Sequence, residues 1–522
     1  MTLSDVVARH AVERGDALAY VTPEEQCTWG EYDARATALA AAVAGLGCAL
    51  GDRVAVLLPD GPGVHVAFLA VERAGLVIVG IGPRAGDREV EHLIGVTGAR
   101  VLLAGPDRAP LADRLGLTHL DPAALPIPER SDPRTSGHLG RAGAPAALGD
   151  TDLWLLNSTS GTTGLPKCVM HDQQRWFAFH ELAVAAGALT PDDVFMSVLP
   201  APFGFGIWTG HVTPTLLGAP TAVMPRFDPA DALALIARER VTVLAAVSTQ
   251  FVMLLNSPAL DSFDCSSLRV LFTGGEMVPY ARAAEFEDHA GCAVLQFYGS
   301  NETGALSRTT LRDRRDRRLR TAGRVIPEMH VRLFDDGGAD VTATGGPGVA
   351  ACRGPVTCLG YYDDPEANDR LYTADGWMLT GDYCTIDDDG YLTVAGRASD
   401  FVIRGGKNIS AAQVEDEVST HPAVALAAAV AMPDPVFGER VCVYVEIHPH
   451  SGPLDLDGLR AHLRERGVGK ELWPERLVVM DALPRSSGGK VAKGALRDAI
   501  VARIASESTG ESTGDAAAEE TM

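Results

Sequence analysis

The chain is 522 residues long, 46% hydrophobic, with a formal net charge of −23. That length exceeds what one hydrophobic core serves and implies two or more domains, while so acidic a balance argues against nucleic acid or an anionic membrane surface as the main partner. Nine cysteines stand singly from Cys27 to Cys442 without a CxxC pair, which argues against a disulfide framework or a zinc site and fits a reducing compartment.

The opening Met1-Thr2-Leu3-Ser4-Asp5 lacks the basic region and apolar core of a signal peptide, and no apolar run is long enough to span a bilayer. The expectation is a cytoplasmic protein without a membrane span. Up to about residue 150 helices and strands alternate. Ala34 to Leu46 reads as a helix stopped by Gly47, Arg53 to Leu58 as a strand turned by Pro59-Asp60-Gly61, Val64 to Ala74 as a helix, and Val77-Ile78-Val79 and Arg100 to Ala104 as strands. Such alternation predicts an open, largely parallel sheet. Residues 126–149, dense in Pro, Gly, Ser and Arg, read as a linker or long surface loop.

The apolar run Leu153-Trp154-Leu155-Leu156 then predicts a short buried strand that delivers Asn157-Ser158-Thr159-Ser160-Gly161-Thr162-Thr163-Gly164-Leu165-Pro166-Lys167. Hydroxyls, exposed amides and one ammonium are what polyphosphate oxygens require, so a nucleoside triphosphate is the natural ligand. The Walker A pattern does not fit, because Pro166 precedes the lysine and Cys168 follows it.

After a helix at Gln174 to Leu189, residues 199–208 set Phe203, Phe205 and Trp208 among glycines, where rings wall a pocket or simply pack the core. Strands at Val241 to Val247 and Leu268 to Phe272 follow. The first leads to Ser248-Thr249, and the second runs into Thr273-Gly274-Gly275-Glu276, at the strand end where parallel sheets bind ligands. A strand at Ala293 to Phe297 ends in Tyr298-Gly299-Ser300-Asn301-Glu302-Thr303-Gly304, whose ring, amide and carboxylate suit a stacked base and Mg2+. The charge run Arg312 to Arg318 reads as a solvated loop.

From Asp335 to Val394, Asp-Gly and Gly-Gly turns predict β-hairpins around Thr380-Gly381-Asp382. A domain boundary is expected near Ser399. A small α+β domain follows, with a helix at Ala411 to Thr420, strands near Ala425 and Val441, and a flexible loop that carries Lys490. Residues 506–522, repetitive and then acidic, are expected to be a disordered tail.

Taken together, these motifs resemble the adenylate-forming superfamily of acyl- and aryl-CoA synthetases. The resemblance spans about residues 15 to 500 and rests on five motifs in the family's order: Thr159 to Lys167, Tyr298 to Thr303, Thr380-Gly381-Asp382, Gly396-Arg397 and Lys490. It implies an α/β fold, with residues 1–397 as a large domain of mainly parallel sheets plus a β-rich subdomain, and residues 398–505 as a small mobile α+β domain carrying the catalytic lysine. It also implies an ATP- and Mg2+-dependent carboxylic acid:CoA ligase, monomeric or homodimeric, with coenzyme A as co-substrate.

On this resemblance Thr159, Ser160, Gly161, Thr162, Thr163, Gly164 and Lys167 would cradle the β- and γ-phosphates. Glu302 would hold Mg2+. Gly274, Gly275, Glu276, Tyr298 and Gly299 would wall the adenine site, with Asn301 and Thr303 beside the phosphates, Asp382 on the ribose hydroxyls and Arg397 donating nearby. Lys490 would bridge the acid's carboxylate and the α-phosphate, and Phe203, Trp208 and Ser248 would line the acid pocket.

The chain departs from the family in three places. Asn301 stands where threonine is common, Ser399 where the hinge is often Asp or Lys, and Phe203 where histidine is frequent. Phe203 favours an aromatic, alicyclic or medium-sized acid over acetate. The alternatives are transfer of the activated acid to a carrier-protein thiol or an amine, and a dead nucleotide-binding protein. Joint retention of Lys167, Glu302, Asp382, Arg397 and Lys490 argues against the last.

Overall fold

The structure is a computed structural model that describes residues 1–126, 148–158, 166–276, 278–397, 400–404, 407–448, 451–485 and 490–511. Four sheets organise these residues. In the first, Thr118–Leu120, Val101–Ala104, Arg53–Leu57, Val77–Gly80, Leu155–Ser158 and Cys168–His171 lie side by side in that order, all parallel except the last pair. Val77–Gly80 and Val101–Ala104 are buried at every position. An apolar run without alternation is what a strand covered on both faces requires.

The second sheet has nine strands. Its parallel centre is Ala293–Ser300, Val270–Gly274, Val243–Ala245, Phe195–Ser197, Thr221–Val223 and Leu18–Val21, with antiparallel strands at both margins. The strand at 293 runs three residues beyond the expected Phe297, because Tyr298 to Ser300 pair with Gly304–Arg308. Gly299 is required there, since a Cβ would fall 1.6 Å from the Gly304 carbonyl oxygen. Tyr298 and Gly299 are therefore strand residues rather than turn residues.

The hairpin texture after 335 folds as an antiparallel sheet of His330–Phe334, Gly348–Arg353, Met378–Ile386 and Leu392–Arg397. The smaller C-terminal part pairs Lys407–Ser410, Phe401–Arg404, Gly438–Ile447, Val424–Asp434 and Arg476–Val479. Helix Leu456–Glu465 begins where Asp455 accepts the Gly458 N–H at 2.8 Å and buries Leu459 and Leu463, one turn apart. Each buried leucine contributes about 2 kcal/mol.

Two expectations need correction. The arginine run is a loop only over Arg312–Arg314, where Arg312 and Arg314 are exposed; Arg315–Arg320 is helical, and its guanidinium groups pair with Glu287, Asp288, Asp387 and Asp389 or stack on Tyr280 and Tyr391. The expected start of the tail at residue 506 falls inside a helix, and residues 512–522 lie outside the described residues. The last helix extends over Lys493–Glu511, and Glu507 is held by Arg476 at 2.5 Å and by Arg503 at 3.1 Å. No helix among the described residues is long and apolar enough to cross a membrane.

Candidate active site

The site lies where the carboxyl end of Val270–Gly274 in the second sheet meets the small domain. The Lys490 ammonium donates to the Gly275 carbonyl at 2.6 Å. Gly275 has φ +77°, and a Cβ there would sit 3.0 Å from Lys490 Nζ, so both its conformation and its neighbour call for glycine. Burial pulls the lysine's pKa below its ordinary value. Glu276 opposes that shift most strongly, Glu302 and Asp382 less so, and Arg397 adds to it. Four charged groups widely separated in the sequence thus act electrostatically on one ammonium.

Asp382 is fixed between two donors. Tyr298 Oη donates to its Oδ2 at 2.9 Å, and Arg397 Nε donates to its Oδ1 at 3.1 Å from the paired strand. Burial raises the Asp382 pKa, and Arg397 is the first group to oppose it. The Tyr298 hydroxyl is pushed well above its usual range, mainly by burial. It therefore stays a neutral donor.

Glu302 Oε1 accepts the Tyr361 hydroxyl at 2.7 Å, and Lys167 Nζ lies 4.7 Å from the centroid of the same ring. Tyr361 therefore joins the lysine that ends the phosphate loop to the carboxylate of the 300 turn. Sequence reasoning missed it; the available signal was the aromatic pair that follows Gly360. Glu276 accepts the Thr249 N–H at 2.9 Å, which brings buried Ser248, the first residue of helix Ser248–Leu255, to the same edge.

Thr303 differs from expectation. It is fully buried, accepts the Ser300 N–H at 2.9 Å and donates to the Gly304 carbonyl at 3.1 Å. Its hydroxyl holds the turn rather than facing a ligand. Asn301 forms an amide pair with Asn157, described below. Trp208 is buried among Phe179, Phe205, Phe272 and Phe297, with ring centroids 4.7 to 5.3 Å apart. Phe203 is half-buried, and its ring would meet a Cβ on Gly82 at 2.9 Å. Thr159, Ser160, Gly161, Thr162, Thr163, Gly164 and the hinge residue Ser399 lie outside the described residues.

Residues 7–362 match the family model described as AMP-binding enzyme, and residues 413–490 match that of the AMP-binding enzyme C-terminal domain. The chain belongs to this family. It is 32% identical over 498 residues to the medium-chain fatty-acid–CoA ligase of Escherichia coli (strain K12), covering 91% of this chain and 86% of that protein. It is 31% identical over 514 residues to the 2,3-dihydroxybenzoate-AMP ligase of Bacillus subtilis (strain 168), covering 96% and 94%. Its fold matches the crystal structure of the anthranilate CoA ligase AuaEII in complex with anthranoyl-AMP, with a TM-score of 0.87 over 97% of this chain and 98% of that one, at 24% identity.

The donor set around Glu302 suits Mg2+ of the kind such enzymes use. Mg2+ prefers hard oxygen ligands and is usually held by one or two carboxylates plus substrate phosphates rather than by an all-protein cage. Glu302 supplies one such carboxylate, steadied by Tyr361. Among the described residues, no three His, Cys, Asp or Glu side chains gather into a metal site.

Proposed function

We propose that this adenylate-forming enzyme is a carboxylic acid:CoA ligase. It joins the acid to the α-phosphate of ATP with release of pyrophosphate, then passes the acyl group to the CoA thiol with release of AMP. The observation that carries the reading is the bond from Lys490 to the Gly275 carbonyl, which sets the lysine within electrostatic reach of Glu276, Glu302, Asp382 and Arg397. A protein that only binds a nucleotide has no need of a lysine delivered from a second domain.

In this reading Asp382 accepts the ribose hydroxyls, held in place by Tyr298 and Arg397. Glu302 holds Mg2+, which offsets phosphate charge when bound. Lys167 and the loop before it receive the β- and γ-phosphates. Lys490 stands where the carboxylate and the α-phosphate, two anions, must approach each other; a preplaced positive charge at that point acts on rate more than on nucleotide affinity. Phe203, half-buried, supports an apolar acid, of aromatic, alicyclic or medium-chain type, while the ring of Trp208 packs the core. The small domain, residues 398–505, turns about Ser399 to expose the adenylate to the thiol.

One observation favours a second reading. A relative covering almost the whole chain is named for AMP ligation rather than CoA ligation, which keeps a carrier-protein thiol open as acceptor. The test of the first half-reaction is acid-dependent pyrophosphate release with ATP and Mg2+ across a panel of aryl, alicyclic and fatty acids. The account expects one apolar class to be turned over. Release with acetate alone contradicts the pocket assignment, and release with no acid contradicts adenylation.

A further inference from the structure

A buried chain of hydrogen bonds runs beneath the turn that carries Glu302. The Arg175 guanidinium donates to His171 Nδ1 at 2.5 Å and to the Asn301 carbonyl at 2.7 Å. His171 Nε2 lies 2.8 Å from Asn157 Oδ1. Asn157 and Asn301 then meet amide to amide, with Asn301 Nδ2 donating to Asn157 Oδ1 at 2.6 Å and Asn157 Nδ2 to Asn301 Oδ1 at 3.2 Å. Asn157 Nδ2 also donates to the Pro202 carbonyl at 3.1 Å. Asn157, His171 and Arg175 are 1%, 0% and 3% exposed, so water cannot substitute for a missing partner.

Each link has a single sense. A guanidinium only donates, so His171 Nδ1 must be the bare nitrogen and Nε2 must carry the hydrogen. That N–H needs an acceptor, which turns the Asn157 oxygen towards it, and the Pro202 carbonyl independently demands the Asn157 NH2 on the other side. The edge Asn157 then presents, one oxygen and one N–H, accepts Asn301 in one orientation only. The oxygen of Asn301 abuts Gly204, where a Cβ would lie 2.6 Å away. The second Nδ2–H of Asn301 is what remains to offer a ligand oxygen.

We propose that Arg175, His171 and Asn157 are positioning residues that fix which edge of the Asn301 amide meets the acid and α-phosphate, and that tie the Glu302 turn to the acid-pocket loop at Pro202. A threonine hydroxyl at 301 would rotate to suit its neighbours, whereas an amide has two unlike ends and must be held. The presence of Asn301 therefore accounts for a buried asparagine at 157 with its own orienting partners. The proposal rests on the ligase reading for its activity arm, but its structural arm does not.

The test combines two readouts. In acid-dependent pyrophosphate release, Arg175→Met is expected to lower kcat about tenfold, with the KM for ATP changed less than about twofold and partial recovery in Arg175→Lys. Asn157→Ala and Asn301→Ala combined should cost no more than the worse single variant, because the pair acts as a unit. Independently, 15N spectra of histidine-labelled protein, assigned with His171→Gln, should show His171 with its hydrogen on Nε2. Unchanged kcat in a folded Arg175→Met protein, or losses that multiply in the double variant, would overturn the proposal. So would a His171 signal with hydrogen on Nδ1, and that result stands even if no acid supports turnover and the ligase reading itself has failed.

Discussion

Two cations, Arg175 and Lys490, are held in opposite ways. Arg175 is locked inside the large domain by bonds to His171 and Asn301, and the Asn157–Asn301 pair continues that lattice. Lys490, from the small domain, donates to the backbone carbonyl of Gly275. Around it the small domain grips the same segment once more, where Asp416 accepts the Tyr280 N–H at 3.3 Å. On the proposed reading, the difference teaches that orientation is built into the large domain, whereas the charge meant to join the two anions comes from the small domain on a contact to a backbone carbonyl.

Removing the delivered charge should have the largest effect. Lys490→Ala is expected to slow adenylation by about 10^2- to 10^3-fold while isothermal titration shows ATP affinity largely kept. A parallel collapse of ATP affinity would assign Lys490 to binding instead. Asp382→Ala should act on the other side of the comparison, raising the KM for ATP by about tenfold or more with a smaller change in kcat, because a fixed acceptor of the nucleotide is lost.

The pH profile sharpens the contrast. Burial lowers the Lys490 pKa, so its charge is present below that lowered value and is lost as pH rises through it. An alkaline limb in the adenylation rate should therefore begin below the ordinary lysine range, and Lys490→Arg should move it upward. A smaller effect is expected at Asp416→Ala, a fall of about threefold in adenylation, comparable to loss of one part-buried hydrogen bond, with no change when preformed adenylate and CoA are supplied. Equal loss in both assays would mean that Asp416 supports the fold and not the docking.

The smallest effect is on stability. Asp60 accepts the Ala201 N–H at 2.7 Å, and burial raises its pKa to about 7. The folded state therefore keeps a proton that the unfolded chain releases, and stability contributed by this group falls as pH rises from the ordinary aspartate value to about 7. Asp60→Asn should raise Tm more at about pH 8 than at about pH 5; an equal gain at both would remove titration as the cause.

The parallel architecture was legible because buried strands such as Val77–Gly80 read as unbroken apolar runs between helices with the 3.6-residue period. Asp382, Arg397, Glu302 and Lys490 were marked through motifs in a fixed order; the structure pairs Arg397 with Asp382 and bonds Lys490 to Gly275. Arg315–Arg320 was misread because its acidic partners come from residues 287–288 and 387–389, which no local window contains. The same holds for Tyr361 and for the Arg175–His171–Asn157 chain. These are polar residues whose meaning depends on what a distant turn places opposite them, and Asn301 could be marked as unusual from the sequence without revealing that Asn157 orients it.

The most direct test of the ligase reading is the acceptor. Purified protein given ATP, Mg2+ and its preferred acid is predicted to form AMP and acyl-CoA in equal amounts, with turnover dependent on added CoA. Pyrophosphate release that is indifferent to CoA, with the acyl-adenylate remaining on the enzyme until a carrier protein or an amine is supplied, would contradict it.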